Sequence, residues 1–203
     1  MATTLAQLRS YARAEMKNMD PNGKVWDDPA MDRAVNDGYR MVQKMGTYAW
    51  PANQATGTVS VVAGTQEHDL PADFVSLRAV RATSWGLSLG YKEDFFNQSQ
   101  QQGTPYAYYL EGSKIGLYPI PSSGDTLQLL YNKRLATLTS SQDSQFSDAY
   151  DTAIAKAAAY AILSGSPRFA REAQNKLAEL QTEIATLTMQ DRFRDRNAVN
   201  NAR

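Results

Sequence analysis

Cysteine is absent from this sequence of 203 residues, and histidine occurs once, at His68. The absence of cysteine excludes disulfide bonds, iron–sulfur clusters, thiol catalysis and cysteine-ligated zinc. A single histidine excludes any metal site that needs two, and no hydrophobic run approaches the roughly 20 residues of a membrane-spanning helix. We therefore expect no metal, no cofactor and no membrane partner, in a protein made in a reducing cytoplasm.

An excess of charge of either sign is also missing. Lys and Arg total 21, Asp and Glu total 21, and the formal net charge is 0. Because such a chain has no overall attraction to phosphate, a sequence-reading DNA-binding protein is disfavoured. Hydrophobic residues make up 42% of the chain, which is enough for a core of one domain, or of one domain with an insertion.

The first 50 residues have the pattern of two helices. Thr4 and Gln7 have the spacing of a capping box, and Asp28 followed by Pro29 predicts the N-cap and first position of a second helix that Gly46 ends. The apolar residues of the second helix recur at helical spacing, at Met31, Val35, Tyr39, Val42 and Met45.

From residue 54 to 135 the pattern changes to a period of two. Residues 56–62 are β-branched, and residues 75–81 alternate with a one-residue slip. Residues 106–111 and 114–118 flank a Gly112-Ser113 turn and predict a hairpin, and residues 126–134 predict a further strand. These segments indicate a central antiparallel β-rich insertion.

Two more helices follow, from about Ser147 and from Pro167, and predict a long helical hairpin. The predicted fold class is therefore α+β. Residues 1–50 and 139–189 would form a helical bundle, residues 54–135 the β-rich insertion, and residues 190–203 an extended, flexible C-terminal tail. The third helix is apolar almost all round, so it is either central or covered by another subunit.

Few residues of this sequence could support catalysis. His68 lies near Asp69 and Asp73, but there is no nucleophile-elbow motif, no phosphate-binding loop and no dinucleotide-binding glycine motif. Three carboxylate pairs could serve glycoside cleavage in principle, although two of them lie where helix starts favour acidic residues: Asp27/Asp28, Glu93/Asp94 and Asp148/Asp151. We expect no catalytic residue and no enzyme.

Tyrosines concentrate in the predicted hairpin, at Tyr106, Tyr108, Tyr109 and Tyr118. Their rings could stack on sugars or bases, could pack across strands in the core, or could contact a neighbouring subunit. The hairpin is therefore a candidate inter-subunit or core element, with the choice left open.

The C-terminal segment differs from the rest of the chain. Residues 190–203 hold four arginines and two aspartates and offer little to bury, so we expect them to order only on a partner. The candidate interface residues are Arg192, Phe193, Arg194, Arg196 and Val199.

The order of these motifs resembles the head-to-tail adaptor, or connector, proteins of tailed bacteriophages. The resemblance covers residues 4–189 and is most specific in the segment PYAYYLEG…KIGLYPIP, residues 105–121. Gly38, in the second helix, and the glutamine-rich loop 97–103 depart from it. The resemblance also rests on the segments around Trp26–Tyr39, Asp69–Phe74 and Leu127–Tyr131, and on the alanine-rich helical pair.

The resemblance implies a structural virion protein made in the host cytoplasm and placed at the head-to-tail junction. It implies a homo-oligomeric ring, typically of twelve subunits, that docks under the portal protein, extends the DNA channel and receives the tail or nozzle. Double-stranded DNA would pass through without specific binding, and the tail would contact the portal or a neighbouring subunit. A virion carbohydrate-binding or cell-wall-acting module and an ordinary cytoplasmic enzyme remain the alternatives.

Overall fold

The structure, a computed structural model, describes residues 3–22, 25–46, 50–90, 92, 95 and 101–200, with the backbone alone for residue 51 and for 191–200. It is α+β, with helices at both ends of the chain and sheets between them, which confirms the predicted class. The helices are α1 (Leu5–Glu15), α2 (Asp28–Met45), α3 (Asp151–Leu163) and α4 (Ala170–Asn200). The strands are β1 (Gln54–Val61), β2 (Glu67–Asp69), β3 (Phe74–Ala82), β4 (Ser88–Leu89), β5 (Gln102–Gly103), β6 (Ala107–Glu111), β7 (Lys114–Tyr118), β8 (Ile120–Pro121) and β9 (Asp125–Lys133).

The chain forms two compact units. The helical unit comprises Met1–Ala52 and Leu135–Arg203, and the β unit comprises Asn53–Arg134.

Helix ends in the helical unit follow local sequence signals. The capping box of α1 is confirmed, because the Thr4 hydroxyl accepts from the Gln7 amide and the Gln7 side chain accepts from the Thr4 amide. The prediction that Asp28 caps α2 is wrong. Asp27 is the N-cap, its carboxylate accepts from the Ala30 amide at 2.8 Å, and Asp28 is already helical. One more residue of extended backbone would have been needed for Asp28 to cap.

Helix α3 is the centre of the helical unit. It packs against α1, α2 and α4, and eight of its 13 residues are buried. Of the two predicted explanations for its apolar surface, the central location is therefore the one observed, and no second subunit is needed to cover it.

Gly38 allows α2 to approach the backbone of α3. A Cβ atom at this position would lie 2.5 Å from the amide nitrogen of Ala158 and 2.9 Å from the carbonyl oxygen of Ile154. Both are backbone atoms, so a side chain could be accommodated only if the two helices moved apart. The glycine that weakens α2 as an isolated helix thus permits its main packing contact.

The returning chain is fixed to α2 by polar contacts. The Asn36 side chain donates to the carbonyl of Leu138 at 3.1 Å and accepts from its amide at 2.8 Å. The Tyr39 hydroxyl accepts from the Gln145 amide at 2.9 Å. Next to these contacts the rings of Tyr39, Trp50, Phe146 and Tyr150 pack edge-to-face or stacked, with centroids 4.7–5.7 Å apart.

Helix α4 extends past the helix it packs on. Its buried residues with described side chains end at Leu187, whereas its backbone remains helical to Asn200. No glycine or proline occurs in this stretch to end the helix, so residues 190–200 are helical where the sequence predicts an extended tail. Residues 201–203 lie outside the described residues, and the flexibility of the segment remains a prediction.

The described part of the β unit contains three sheets, of which the two larger pack together and the third is the two-stranded pair β5-β8. One of the larger two has the order β1-β9-β3 and the other β2-β7-β6-β4. Apolar residues of both sheets form one core, with Val59, Leu127 and Leu129 from the first and Ile115 and Leu117 from the second. Pairing within the three-stranded sheet is antiparallel, as expected, but β4–β6 and β5–β8 are short parallel pairs that the sequence did not indicate.

Local signals set the register in this unit. Gly112 has a φ of +57° at the first position of the β6–β7 turn, where a two-residue hairpin favours glycine. The sequence predicts a one-residue slip in residues 75–81 at Ala79–Val80; the structure instead has register shifts between Phe74 and Ser76 and between Leu77 and Ala79 on β3.

His68 lies in the interior of the β unit. It pairs with Ile115 across β2 and β7, is 6% exposed, and its Nε2 has no hydrogen-bond partner among the described residues. Burial lowers the pKa of this imidazole below its usual 6.5, against smaller opposing effects of a backbone hydrogen bond at Thr65 and the charge of Asp69. The histidine is therefore neutral in the folded protein at neutral pH.

We expect Gly38→Ala to lower the free energy of unfolding by about 1–3 kcal/mol. Overpacking against the α3 backbone should outweigh the gain of about 1 kcal/mol in helix propensity. Urea denaturation followed by circular dichroism measures the change. The matched control is Gly86→Ala, because a Cβ at Gly86 meets nothing within 4 Å. A Gly38→Ala protein as stable as the wild type would contradict the close contact.

We also expect acid to destabilise the β unit through His68. Because its folded-state pKa is lowered, the stabilisation is complete above about pH 6.5 and is lost as the pH falls from there toward the folded-state pKa. Urea midpoints at pH 7.5 and 5.5 measure this loss. His68→Gln, which stays neutral, should show a smaller drop between the two pH values than the wild type, and an equal drop would reject the assignment.

Candidate interaction surfaces

The hairpin of β6 and β7 places its four tyrosines in different surroundings. Tyr109 and Tyr118 are 3% and 5% exposed, and Tyr108 is half-buried against the core between the two sheets. Tyr106 is 55% exposed, and its ring meets that of Tyr118 edge-on with centroids 5.8 Å apart. The four rings therefore do not form one continuous exposed surface.

Phe95 covers the outer face of this hairpin. Its ring stacks on Tyr118 with centroids 4.8 Å apart and on Tyr109 at 6.3 Å. Two glycines make room for the stack, because a Cβ at Gly90 would collide with the Phe95 ring and one at Gly116 would collide with the Tyr109 ring. Sequence reasoning missed Phe95. Gly116 inside a strand signals the close approach of the Tyr109 ring from the paired strand, whereas the glycine that the Phe95 ring approaches is Gly90.

Charged groups surround the Tyr109 ring. The Tyr109 hydroxyl donates to a Glu67 carboxylate oxygen at 3.2 Å, and Lys92 Nζ lies 3.6 Å from the same oxygen while it also pairs with Glu111. Burial, followed by the negative charge of Glu67, raises the pKa of Tyr109 to about 12. The hydrogen bond to Glu111 raises the pKa of Lys92.

Both of these side chains stay protonated at neutral pH, so neither can accept a proton from a substrate there. The cluster fixes the hairpin instead, since Lys92 and Phe95 attach one segment to its outer face. A platform for stacking sugars or bases needs exposed ring faces, and of these four tyrosines only Tyr106 is exposed.

Three of the other candidate catalytic carboxylates have structural partners. Asp27 caps α2, and Asp28 pairs with Arg9 and Arg13 at 3.0 and 2.9 Å. Asp151 accepts from the Thr3 hydroxyl at 2.7 Å, and burial raises its pKa. Glu93 and Asp94 lie outside the described residues.

An open depression of about 510 Å³ lies on the outer face of the three-stranded sheet. Thr56, Thr58, Arg81 and Gln128 supply its polar groups, and Arg81 donates to the Gln128 amide oxygen at 2.7 Å. None of its lining residues is His, Cys, Asp or Glu, so the depression itself supplies no acid–base pair and no metal ligand set.

In the described part of the chain, no group of three or more His, Cys, Asp or Glu residues is arranged to hold a metal ion. No helix there is both long enough and apolar enough to cross a bilayer.

The predicted interface residues of the C-terminal segment lie near the end of α4. Positions 192, 196 and 199 recur at steps of four and three and so share one side of the helical backbone, whereas position 193 lies about 100° around the helix from position 192 and position 194 lies on the opposite side. No described helix flanks α4 over its whole length, since α3 has 13 residues and α4 has 31.

A comparison with curated proteins finds no match. A comparison with protein families finds that residues 3–203 match the family described as SU10 adaptor protein. The match includes the helical unit, the β unit and the C-terminal segment, and it agrees with a fold in which the described residues show surfaces rather than a catalytic site. The chain therefore belongs to the SU10 adaptor protein family of phage head-to-tail adaptors and is a structural component of the virion.

Proposed function

We propose that this protein forms a closed ring, typically of twelve subunits, under the portal. The ring extends the DNA channel and gives the tail or nozzle its docking surface. Family membership over residues 3–203 supports the adaptor role, and the length of α4 supports docking through the end of that helix.

The observation that carries the docking proposal is the length of α4. Its 31 residues span about 46 Å, whereas the 13 residues of α3 span about 20 Å. The two helices are antiparallel neighbours joined by a short turn at Pro167–Phe169, so the end of α4 projects beyond the start of α3. A projecting helix end can enter a partner without disturbing the core of its own unit.

The composition of this end suits a protein partner. Phe193 and Val199 supply apolar area for burial, and Arg192, Arg194 and Arg196 can make charge-assisted hydrogen bonds to carboxylates. The partner is the portal or the neighbouring adaptor subunit. If the segment orders fully only on that partner, association depends on the partner being present, as an assembly step requires.

Truncation after Met189 tests the docking role. The shortened protein should fold as the wild type does, because α4 residues with buried side chains end at Leu187, but it should not join the portal. Light scattering of the adaptor alone and mixed with portal measures the association. Normal association of the truncated protein would overturn the proposal.

Point variants separate the contribution of charge from that of length. Replacing Arg192, Arg194 and Arg196 together with Gln should weaken portal association at least about tenfold, which corresponds to 1.4 kcal/mol. Replacing the exposed Arg33 of α2 with Gln is the control and should change nothing. If the triple variant and the Arg33→Gln control associated with the portal equally well, the three arginines would not contribute to docking.

The free protein should bind duplex DNA only weakly, because its net charge is 0 and DNA must slide through the channel. We expect a Kd of about 10⁻⁵ M or weaker at physiological salt. Fluorescence anisotropy with a labelled duplex over a salt series measures it. Tight binding that falls steeply with salt would contradict the proposed channel wall.

A further inference from the structure

The helices that surround α3 present different outer faces. On α2 the exposed positions are mostly charged: Asp28, Pro29, Arg33, Asp37, Arg40 and Lys44. On α1, together with its N-cap, none of the exposed positions is charged: Thr4, Ala6, Gln7, Ser10, Tyr11 and Ala14. A helix face in contact with water normally resembles that of α2, so the face of α1 requires an explanation.

The outer face of α4 is uncharged over a longer stretch. Among the exposed positions from 174 to 190, Glu179 alone is charged, and it pairs with Lys176 at 2.9 Å. The hydroxyls of Thr182 and Thr186 donate back to the carbonyls of Ala178 and Thr182 at 3.0 and 3.1 Å, so both threonines leave their methyl groups for a neighbour. Met189, at the end of this stretch, is 63% exposed.

Intramolecular ion pairs hold four charged residues of these two helices away from their outer faces: Arg9, Arg13, Glu15 and Glu183. Arg9 and Arg13 of α1 pair with Asp28 of α2. Glu15 of α1 pairs with Lys176 of α4 at 2.7 Å. On α4, Glu183 pairs with Lys156 of α3 at 3.1 Å.

Both uncharged faces have the spacing of a helix-packing seam. Gln7, Tyr11 and Ala14 recur at steps of four and three on α1, and positions 178, 182, 185 and 189 recur at steps of four, three and four on α4. Depletion of charge, together with exposed Tyr and Met, distinguishes the centre of a protein interface from ordinary surface. The partner that fits such a seam is another helix.

We propose that the α1 face of one protomer (Gln7, Tyr11, Ala14) packs against the α4 face of the next (Ala178, Thr182, Ala185, Met189). The occupant of each face is a second copy of this chain, because the proposed ring needs two different contact faces on each protomer and both uncharged helical seams lie on the same helical unit. Two different faces in contact make a heterologous interface, which is the kind that closes into a ring. The inference rests on the proposed ring and adds which surfaces form it.

The absence of cysteine from the chain allows a direct test. Single variants Ala14→Cys and Ala185→Cys are each assembled on the portal, alone and as a mixture, and oxidised. The mixture should give disulfide-linked dimers on a non-reducing gel, whereas each single variant should give none. Dimers from Ala185→Cys alone would show like faces in contact and would overturn the proposal, as would a mixture that gives no dimers.

Charge insertion gives a second measurement. Thr182→Lys and Ala185→Lys should each reduce ring formation at least about tenfold in light scattering, because a lysine must lose water to enter the seam. Thr58→Lys, at an exposed threonine of the β unit, is the matched control and should assemble normally. Circular dichroism should show all three variants folded, since these positions are exposed.

The outcomes separate this contact from the function it serves. A wild-type protein that stays monomeric beside the portal overturns both the ring and the contact. Wild-type rings together with normal rings from Ala185→Lys overturn the contact and leave the ring standing. Loss of rings with Thr58→Lys, but not with the α4 variants, would move the contact to the β unit.

Discussion

The close contact between α2 and α3 determines the arrangement of the helical unit. At Gly38 the two backbones meet with no room for even one methyl group between them. The alanines of α3 extend this short separation along its length, and α1 and α4 then pack on its remaining sides. The hydrogen bonds of Asn36 to Leu138, and of Tyr39 to the Gln145 amide, attach the returning chain to the same helix α2. A wider helix spacing would therefore displace every one of these contacts.

Each unit has a closed hydrophobic core of its own, so the groups that could bind a partner lie at the surface. The helical unit encloses α3, and the β unit encloses Ile115, Leu117 and His68 between its sheets. Charged and aromatic side chains that could take part in catalysis, such as Asp27 and Tyr109, instead form helix caps, ion pairs and ring stacks. Membership of a phage adaptor family, which is structural, agrees with a role for the surfaces of the protein.

The sequence pattern predicted those helix ends and turns that are determined by interactions between residues close together in the chain. The capping box at Thr4, the end of α2 at Gly46 and the hairpin turn at Gly112 are each set by neighbours within a few residues, and the structure confirms them. Long-range contacts set what the sequence did not predict. The role of Gly38 depends on α3, some 120 residues later, and the burial of the hairpin tyrosines depends on Phe95 and on Gly116. The parallel pairing of two-residue strands has no periodic signal at all.

The ion pairs of the helical unit matter more for where they place charged side chains than for what they add to the free energy of unfolding. Pairs as exposed as Arg13–Asp28 or Lys176–Glu179 contribute about 0–1 kcal/mol each, too little to determine how four helices pack. Their effect is to keep most of these charged side chains off the outer faces of α1 and α4. By turning their side chains toward α2 and α3, Arg9, Arg13 and Glu183 leave the outer face of α1 uncharged and leave Glu179 as the one charged residue among the exposed positions of α4 from 174 to 190. The same residues would impede a subunit contact if they pointed outward, because each would have to lose its water on assembly.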